Sequence, residues 1–346
     1  MFLTGMTVLF QYKTETECSM NSYINSIMDA VLKDENHRIT EEEALKLVSV
    51  SHEDLHFLFA AASKIKHHYG KNTISTCAII NAKSGKCPEN CAFCSQSAHH
   101  DTGIASYPLK SADEIAADAV KMKKGLSRYS MVTSGARLSD KELGVIMEAC
   151  GRIIKETGLS VCGSLGMLNM ETALKLRKSG MTRYHHNLET SRSFFPNICT
   201  THDYDEDIET LKTAKAAGME VCSGGIMGLG ESWEQRFELA NTLKEADVDS
   251  IPINFLNPIK GTRLEQRPLL TPCEALKCIA LFRFILPSKE IRICGGREVT
   301  LGDFQSWVFA AGADGIMIGN YLTTTGRNVD DDLKMIRAMC QPDERV

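Results

Sequence analysis

At 346 residues the chain has room for two average domains, although a single α/β barrel uses a similar length. Its 39 Lys and Arg against 44 Asp and Glu leave a net charge of −5, with no basic stripe or long like-charge run, so neither nucleic acid nor an anionic membrane is the expected partner. No stretch is apolar for long enough to span a bilayer as a helix, and 13 cysteines without a disulfide-like framework point to thiols kept reduced in the cytoplasm.

Residues 1–20 open on an apolar run, MFLTGMTVLF, without the basic flank and cleavage site of a signal peptide. They are expected to be a disordered extension or a mis-assigned start, with Met6 or Met20 as the true one. Residues 21–70 read as helices, because Ile24, Ile27, Met28, Val31 and Leu32 recur at helical spacing and Thr40-Glu41-Glu42-Glu43 is a capping box.

From 71 to 337 one unit repeats: a helix ending at glycine (Gly158, Gly180, Gly218, Gly312), then a short β-rich run. Capping boxes at Ser111, Ser139, Ser232 and Thr271 mark helix starts, the last with Pro272 at the first helical position. Strands are predicted near 76–82, 128–133, 159–163, 183–187, 220–226, 250–255, 290–293 and 315–318, and residues 338–346 form a tail. Eight such strands alternating with helices predict an α/β fold, a (β/α)8 TIM-type barrel with an N-terminal helical extension. An open, doubly wound sheet is the alternative, since alternation does not reveal closure.

The loop after the first predicted strand reads Cys87-Pro88-Glu89-Asn90-Cys91-Ala92-Phe93-Cys94. Three thiols at this spacing can turn toward one point, and a cubane held by three thiolates leaves one iron open to bind something else. A zinc site is the plainer reading, with His99 or His100 as fourth ligand.

In either architecture the C-terminal strand ends face the active site. Cys162 ends the third strand, Cys222 lies on the fifth, and Arg292 and Cys294 share parity on the seventh. If they point inward, alternate strands bring Cys162, Cys222 and Cys294 together in the barrel with Arg292, where a second metal centre can form. Cys18, Cys77, Cys150, Cys199, Cys273, Cys278 and Cys340 are read as ordinary core thiols.

His185, Asn187 and Glu189 share parity at the end of the fourth strand, where a carboxylate can accept both ribose hydroxyls; a structural polar cluster is the competing reading. Asn254, in the sixth strand, offers an amide donor and acceptor that suit a urea-like substrate. The run Ser223-Gly224-Gly225-Ile226-Met227-Gly228-Leu229-Gly230-Glu231 either lets backbone approach a ligand or is a tight turn.

The loop CPENCAFC is that of radical S-adenosylmethionine enzymes. Together with YHHNLETS, VCSGGIMGLGE, SIPINFL and IRICGGRE, the chain from about 36 to 337 resembles the biotin synthase family. The resemblance implies a [4Fe-4S] cluster on Cys87, Cys91 and Cys94, whose open iron chelates S-adenosyl-L-methionine. Reductive cleavage then yields a 5′-deoxyadenosyl radical that takes hydrogens from C9 and C6 of dethiobiotin, and an auxiliary iron-sulfur cluster donates the sulfur. It further implies Phe93, Asn187, Glu189, Ile226 and Gly228 around the cofactor, and His185, Asn187 and Asn254 around the substrate. An electron donor such as flavodoxin or ferredoxin, the iron-sulfur assembly machinery and a homodimer are the implied partners. The alternatives are a sister radical enzyme of the hydrogenase maturase or methylornithine synthase type, and a non-catalytic iron-sulfur carrier.

The chain departs from the family's familiar pattern of three cysteines and an arginine around a [2Fe-2S] cluster. Cys162, Cys222 and Arg292 match, but Ser130 stands where the remaining cysteine belongs, and Cys294 replaces a serine. His185 and Glu189 likewise replace asparagine and aspartate. Because serine binds soft metals poorly, Cys162, Cys222 and Cys294 are expected to hold a different auxiliary cluster. A cubane-like centre with an extra sulfide is the first expectation and [2Fe-2S] the second, with Arg292 balancing charge beside it.

Overall fold

The computed structural model of the protein describes residues 16–70 and 73–339. The predicted extension up to residue 15, the predicted tail beyond residue 339, Cys340 and the side chain of Cys18 lie outside what is described. Three helices come first: α1 (Thr16–Lys33), α2 (Glu41–Val48) and α3 (Leu55–Tyr69). Thr40 and Glu43 close the predicted capping box on α2, each side chain meeting the other's backbone N–H.

Strands and helices then alternate: β1 (Ser75–Lys83), α4 (Ala112–Met122), β2 (Arg128–Thr133), α5 (Asp140–Thr157), β3 (Ser160–Ser164), α6 (Met170–Lys178), β4 (Arg183–His185) and α7 (Tyr204–Ala216). They continue with β5 (Glu220–Cys222), β6 (Gly225–Met227), α8 (Trp233–Glu245), β7 (Ser250–Phe255), α9 (Pro272–Ile285), β8 (Glu290–Ile293), α10 (Arg297–Leu301), α11 (Trp307–Ala310), β9 (Gly315–Met317) and α12 (Val329–Met339). All pairings among these strands are parallel, in the order β5-β4-β3-β2-β1-β9-β8-β7-β6, and Cys222 pairs with Ser250 to join β5 to β7. That pairing closes the ring, so the barrel stands and the open sheet falls.

The fifth predicted strand is the one that differs. It divides into β5 and β6 around Ser223 and Gly224, so nine short strands fill eight barrel positions. A Cβ on Gly224 would lie 2.0 Å from the carbonyl oxygen of Pro252, and one on Gly225 would lie 2.4 Å from that of Glu189. These glycines serve the close approach of backbone to backbone where the strand bends, rather than the approach of backbone to a ligand.

Along β1 the even residues Ala78, Ile80 and Ala82 are buried in the apolar layer under the helices, while Cys77 and Ile79 face the barrel interior. Ile115 and Ala116 of α4, Ile146 and Ile153 of α5 and Ile279 and Phe282 of α9 belong to that same layer. Full capping boxes form at Ser111, Ser139 and Ser232. At Thr271 only half of one forms: its hydroxyl takes the Glu274 N–H, while the Glu274 carboxylate pairs with Arg236. Helix α3 packs against α1, α9 and α11, α2 packs against α8 and α9, and Tyr69 and Gly70 border the N-terminal mouth of the barrel.

Candidate active site

The CPENCAFC loop leaves β1 at the C-terminal rim. Its backbone is tied down locally: the Cys87 N–H donates to the Gln96 carbonyl (3.0 Å), Ala98 N–H to the Cys87 carbonyl (2.7 Å) and Cys94 N–H to the Cys91 carbonyl (3.0 Å). Burial raises the Cys94 thiol to about 11. Cys91 is raised too, first by its hydrogen bond with Cys199 and then by burial. Such thiols ionise when a cation supplies the opposing charge, which suits three soft donors on one loop to an iron-sulfur group.

His99 and His100, the zinc reading's fourth ligands, are engaged otherwise. His99 Nε2 lies 2.9 Å from the Pro88 carbonyl and His100 Nδ1 lies 2.8 Å from that of Cys94. They brace the loop.

Below the rim is a cavity of about 340 Å³, inside the usual range for small-molecule sites. It collects Phe93, Cys94, His185, Asn187, Glu189, Ile226 and Asn254 with Cys162, Cys222, Arg292 and Cys294. Of the predicted site residues, Cys87, Cys91 and Gly228 are not in its wall. Gly228 donates its N–H to Glu231 (2.8 Å), and Glu231 also takes the Gly230 N–H and pairs with Arg236 at 2.7 Å. The amides of this glycine-rich turn are therefore satisfied from within.

The β4 end is polar because it turns into the cavity. Asn187 donates to Glu189 (3.2 Å) and accepts from the Gly224 N–H (3.2 Å), and His185 Nδ1 lies 3.4 Å from the Cys222 sulfur. Glu189 has φ of 62°, a left-handed conformation that costs a non-glycine residue on the order of 1–2 kcal/mol. Burial raises its carboxyl to about 7, and burial also lowers the His185 imidazole. Asn254 accepts the Gly295 N–H at 2.9 Å, which fixes its amide toward the cavity.

The floor is a plate of paired charges. Arg183 bridges Glu220 (2.9 Å) and Glu290 (2.8 Å), Arg128 also holds Glu220 (3.0 Å), and Arg292 holds Glu290 (2.5 Å) and the Ser75 hydroxyl (3.0 Å). Arg292 Nη1 is buried without a partner. Above this plate, burial raises Cys162 to about 12 and Cys222 to about 11. An orphaned guanidinium nitrogen beside buried thiols is a fitting floor for an anionic sulfur-rich group.

Three features escaped the sequence reading. Cys77, taken as a core thiol, lines the cavity; the parity argument used for Arg292 and Cys294 would have found it on β1. Cys199, also taken as core, lies 3.8 Å from the Cys91 sulfur and 3.4 Å from His202 Nδ1. With Glu89 it completes a compact three-residue group under the loop, and His202 is raised to about 11 by Asp207, Cys199 and Glu89. Arg128 and Arg183 had no local signal, because their partners come from distant strands. Cys150 and Cys278 are buried in the apolar layer and Cys273 packs against it, as expected.

A closed parallel barrel with a three-cysteine loop at its C-terminal rim is the architecture of radical S-adenosylmethionine enzymes. Residues 82–254 match the family model described as the Radical SAM superfamily, and residues 252–339 match the Biotin and Thiamin Synthesis associated domain. The two models meet within β7. The chain is 53% identical over 320 residues to the biotin synthase of Syntrophus aciditrophicus, covering 92% of this chain and 98% of that one. It is likewise 53% identical over 320 residues to the biotin synthase of Geobacter metallireducens, with 92% and 97% covered. The chain belongs to the biotin synthase family.

Among solved structures it resembles methylornithine synthase at 20% identity and a TM-score of 0.79, covering 90% of this chain and 96% of that one. It also resembles the FeFe-hydrogenase maturase of Carboxydothermus hydrogenoformans at 17% identity and a TM-score of 0.75, covering 93% and 79%. These likenesses show the barrel alone. The sister-enzyme alternatives therefore rest on fold, whereas the family assignment rests on sequence identity over nearly the whole chain. Among the described residues no helix is long and apolar enough to cross a membrane.

Proposed function

We propose that the chain converts dethiobiotin to biotin, inserting sulfur between C6 and C9. The observation that carries this reading is the single cavity in which loop, polar β4 end, Asn254 and deep thiols meet. Cys87, Cys91 and Cys94 would hold a [4Fe-4S] cluster, and Cys162, Cys222 and Cys294 an auxiliary one, with Arg292 as its charge partner. When bound, the first cluster supplies the electron that cleaves S-adenosyl-L-methionine, and the second supplies sulfur.

The chain's own residues do the rest. Phe93 and Ile226 wall the cofactor side, Asn187 and Glu189 hold ribose hydroxyls, and His185, Asn187 and Asn254 orient the ureido ring. The Arg–Glu floor and the apolar strands keep water away from a reactive carbon radical. Flavodoxin or ferredoxin as reductant, rebuilding of the auxiliary cluster by the assembly machinery, a cytoplasmic setting and a homodimer belong to the same reading.

The test is the anaerobic chain with reductant, S-adenosyl-L-methionine and dethiobiotin. Biotin together with 5′-deoxyadenosine supports the reading. Deoxyadenosine without biotin moves it to a sister enzyme, and neither product from a chain with intact clusters moves it to a carrier.

Glu189 gives a pH signature. Its folded value, about 7, lies above the ordinary carboxyl value of 4.5. The folded state thus binds the proton more tightly, and Glu189's stabilising contribution is complete below pH 4.5 and lost as pH rises through about 7. The ionised form accepts two hydroxyl donors more strongly than the neutral acid, so affinity for S-adenosyl-L-methionine is expected to rise through that same window. In Glu189→Gln both slopes should flatten; calorimetric titration of the cofactor between pH 6 and pH 8, roughly a unit either side of the transition, reads this. An unchanged slope in the variant removes Glu189 from the ribose site.

A further inference from the structure

Resting on the auxiliary site just proposed, we infer that Cys77 is its fourth thiolate ligand, so that the cluster is held by Cys77, Cys162, Cys222 and Cys294. These four line one cavity and come from, or directly follow, β1, β3, β5 and β8. Since β5 and β6 share a barrel position, those are the first, third, fifth and seventh positions of the ring. In a closed eight-stranded barrel, alternate strands contribute the four side chains of one layer.

The register brings Cys77 beside Cys294; toward β3 it sets Cys77 level with Ser160, two residues before Cys162 on the same face. Cys77 pairs with Met317 of β9, while on the other edge of β9 Ile293 pairs with Ile316, which puts Cys294 one residue on, at the level of Met317. Cys77 and Cys294 thus face each other across one intervening strand, both in the cavity wall. Arg292, whose Nη1 is buried without a partner, lines the same wall two residues before Cys294.

Ser130 explains the need for it. This serine lies in register with Cys162 and lines the same cavity, yet its hydroxyl is a hard donor and offers no soft ligand. Cys77 and Cys294 together restore and enlarge the donor set to four thiolates, the number that a cuboidal four-iron cluster takes. Arg128, Arg183 and Arg292 line the same cavity and offset the added negative charge.

The test uses the full chain with Cys87, Cys91 and Cys94 changed to alanine, so that iron taken up on anaerobic reconstitution reports the auxiliary site. Iron, sulfide and Mössbauer spectra are compared for this parent and for the same chain with Cys77→Ala, Cys77→Ser or, as control, Cys150→Ala. Cys77→Ala is expected to lose at least one iron per chain and the parent's spectrum, Cys77→Ser to shift the spectrum, and Cys150→Ala to match the parent. Iron, sulfide and spectrum equal to the parent in both Cys77 variants overturn the inference. So does a parent that takes up no iron. If Cys77→Ala does not fold, as read by circular dichroism, the isosteric Cys77→Ser decides by the same criterion.

The biotin assay on the unmodified chain separates the two claims. Biotin formed while Cys77 variants keep the parent's cluster overturns the ligand alone. A Cys77-dependent cluster in a chain that makes no biotin supports the ligand and overturns the function.

Discussion

Cys91→Ala is expected to abolish 5′-deoxyadenosine formation, a loss of roughly a thousandfold or more, as happens when one member of a group that acts as a unit is removed. A cluster left with two loop thiolates has neither its donor set nor a defined open iron. Chromatography of an anaerobic reaction with reductant and S-adenosyl-L-methionine reads the loss directly. Cys199→Ala is the informative partner, because its sulfur lies only 3.8 Å from that of Cys91. It should keep most of the activity, since Cys199 stands under the loop rather than in the cavity wall. Deoxyadenosine at the parental rate from Cys91→Ala would remove Cys91 from the ligand set, and the double variant would show whether Cys199 had taken its place.

The second large effect is on stability. Arg283 of α9 is fully buried, pairs with the Asp314 carboxylate just before β9, and donates to the carbonyls of Gly312 (2.9 Å), Pro287 (2.8 Å) and Lys289 (3.0 Å). Asp314 in turn accepts the Ile291 N–H of β8 at 2.8 Å. One guanidinium thereby ties a helix end to the starts of two barrel strands. Arg283→Met keeps most of the volume but strands a buried carboxylate and several carbonyls, which costs about 3–5 kcal/mol. Urea unfolding of the cluster-free chain should show the midpoint falling accordingly. Adding Asp314→Asn should recover part of the loss by removing the unpaired charge; a single variant as stable as the parent would mean that water satisfies these groups.

Much of this was legible in the linear chain. The strands, the glycines in left-handed conformation after helices and four of the five predicted capping boxes are local features, governed by backbone geometry within a few residues. The loop cysteines were legible for the same reason, since three thiols on one short segment need no tertiary contact to be neighbours. Parity pointed to His185, Asn187, Glu189 and Cys294, all of which are in the cavity wall, although only His185 lies within a strand; Asn187 and Glu189 follow β4 and Cys294 follows β8.

What only the tertiary structure decided depends on closure. Parity says which face a residue takes but not its height relative to a residue on another strand. Height is set by the register that accumulates around the ring. Hence Cys77, correctly placed in a strand, was not recognised as a neighbour of Cys294 until β9 linked the two in register. The Arg128–Arg183–Arg292 floor joins four strands and the meeting of Cys199 with Cys91 spans more than a hundred residues, so neither leaves a periodic trace. The glycines of the β5–β6 bend looked like a ligand cradle for the same reason: the backbone that demands them, at Pro252 and Glu189, is remote in sequence. The three-cysteine loop was thus written in local sequence, while the composition of the deep thiol layer was settled only when the barrel closed.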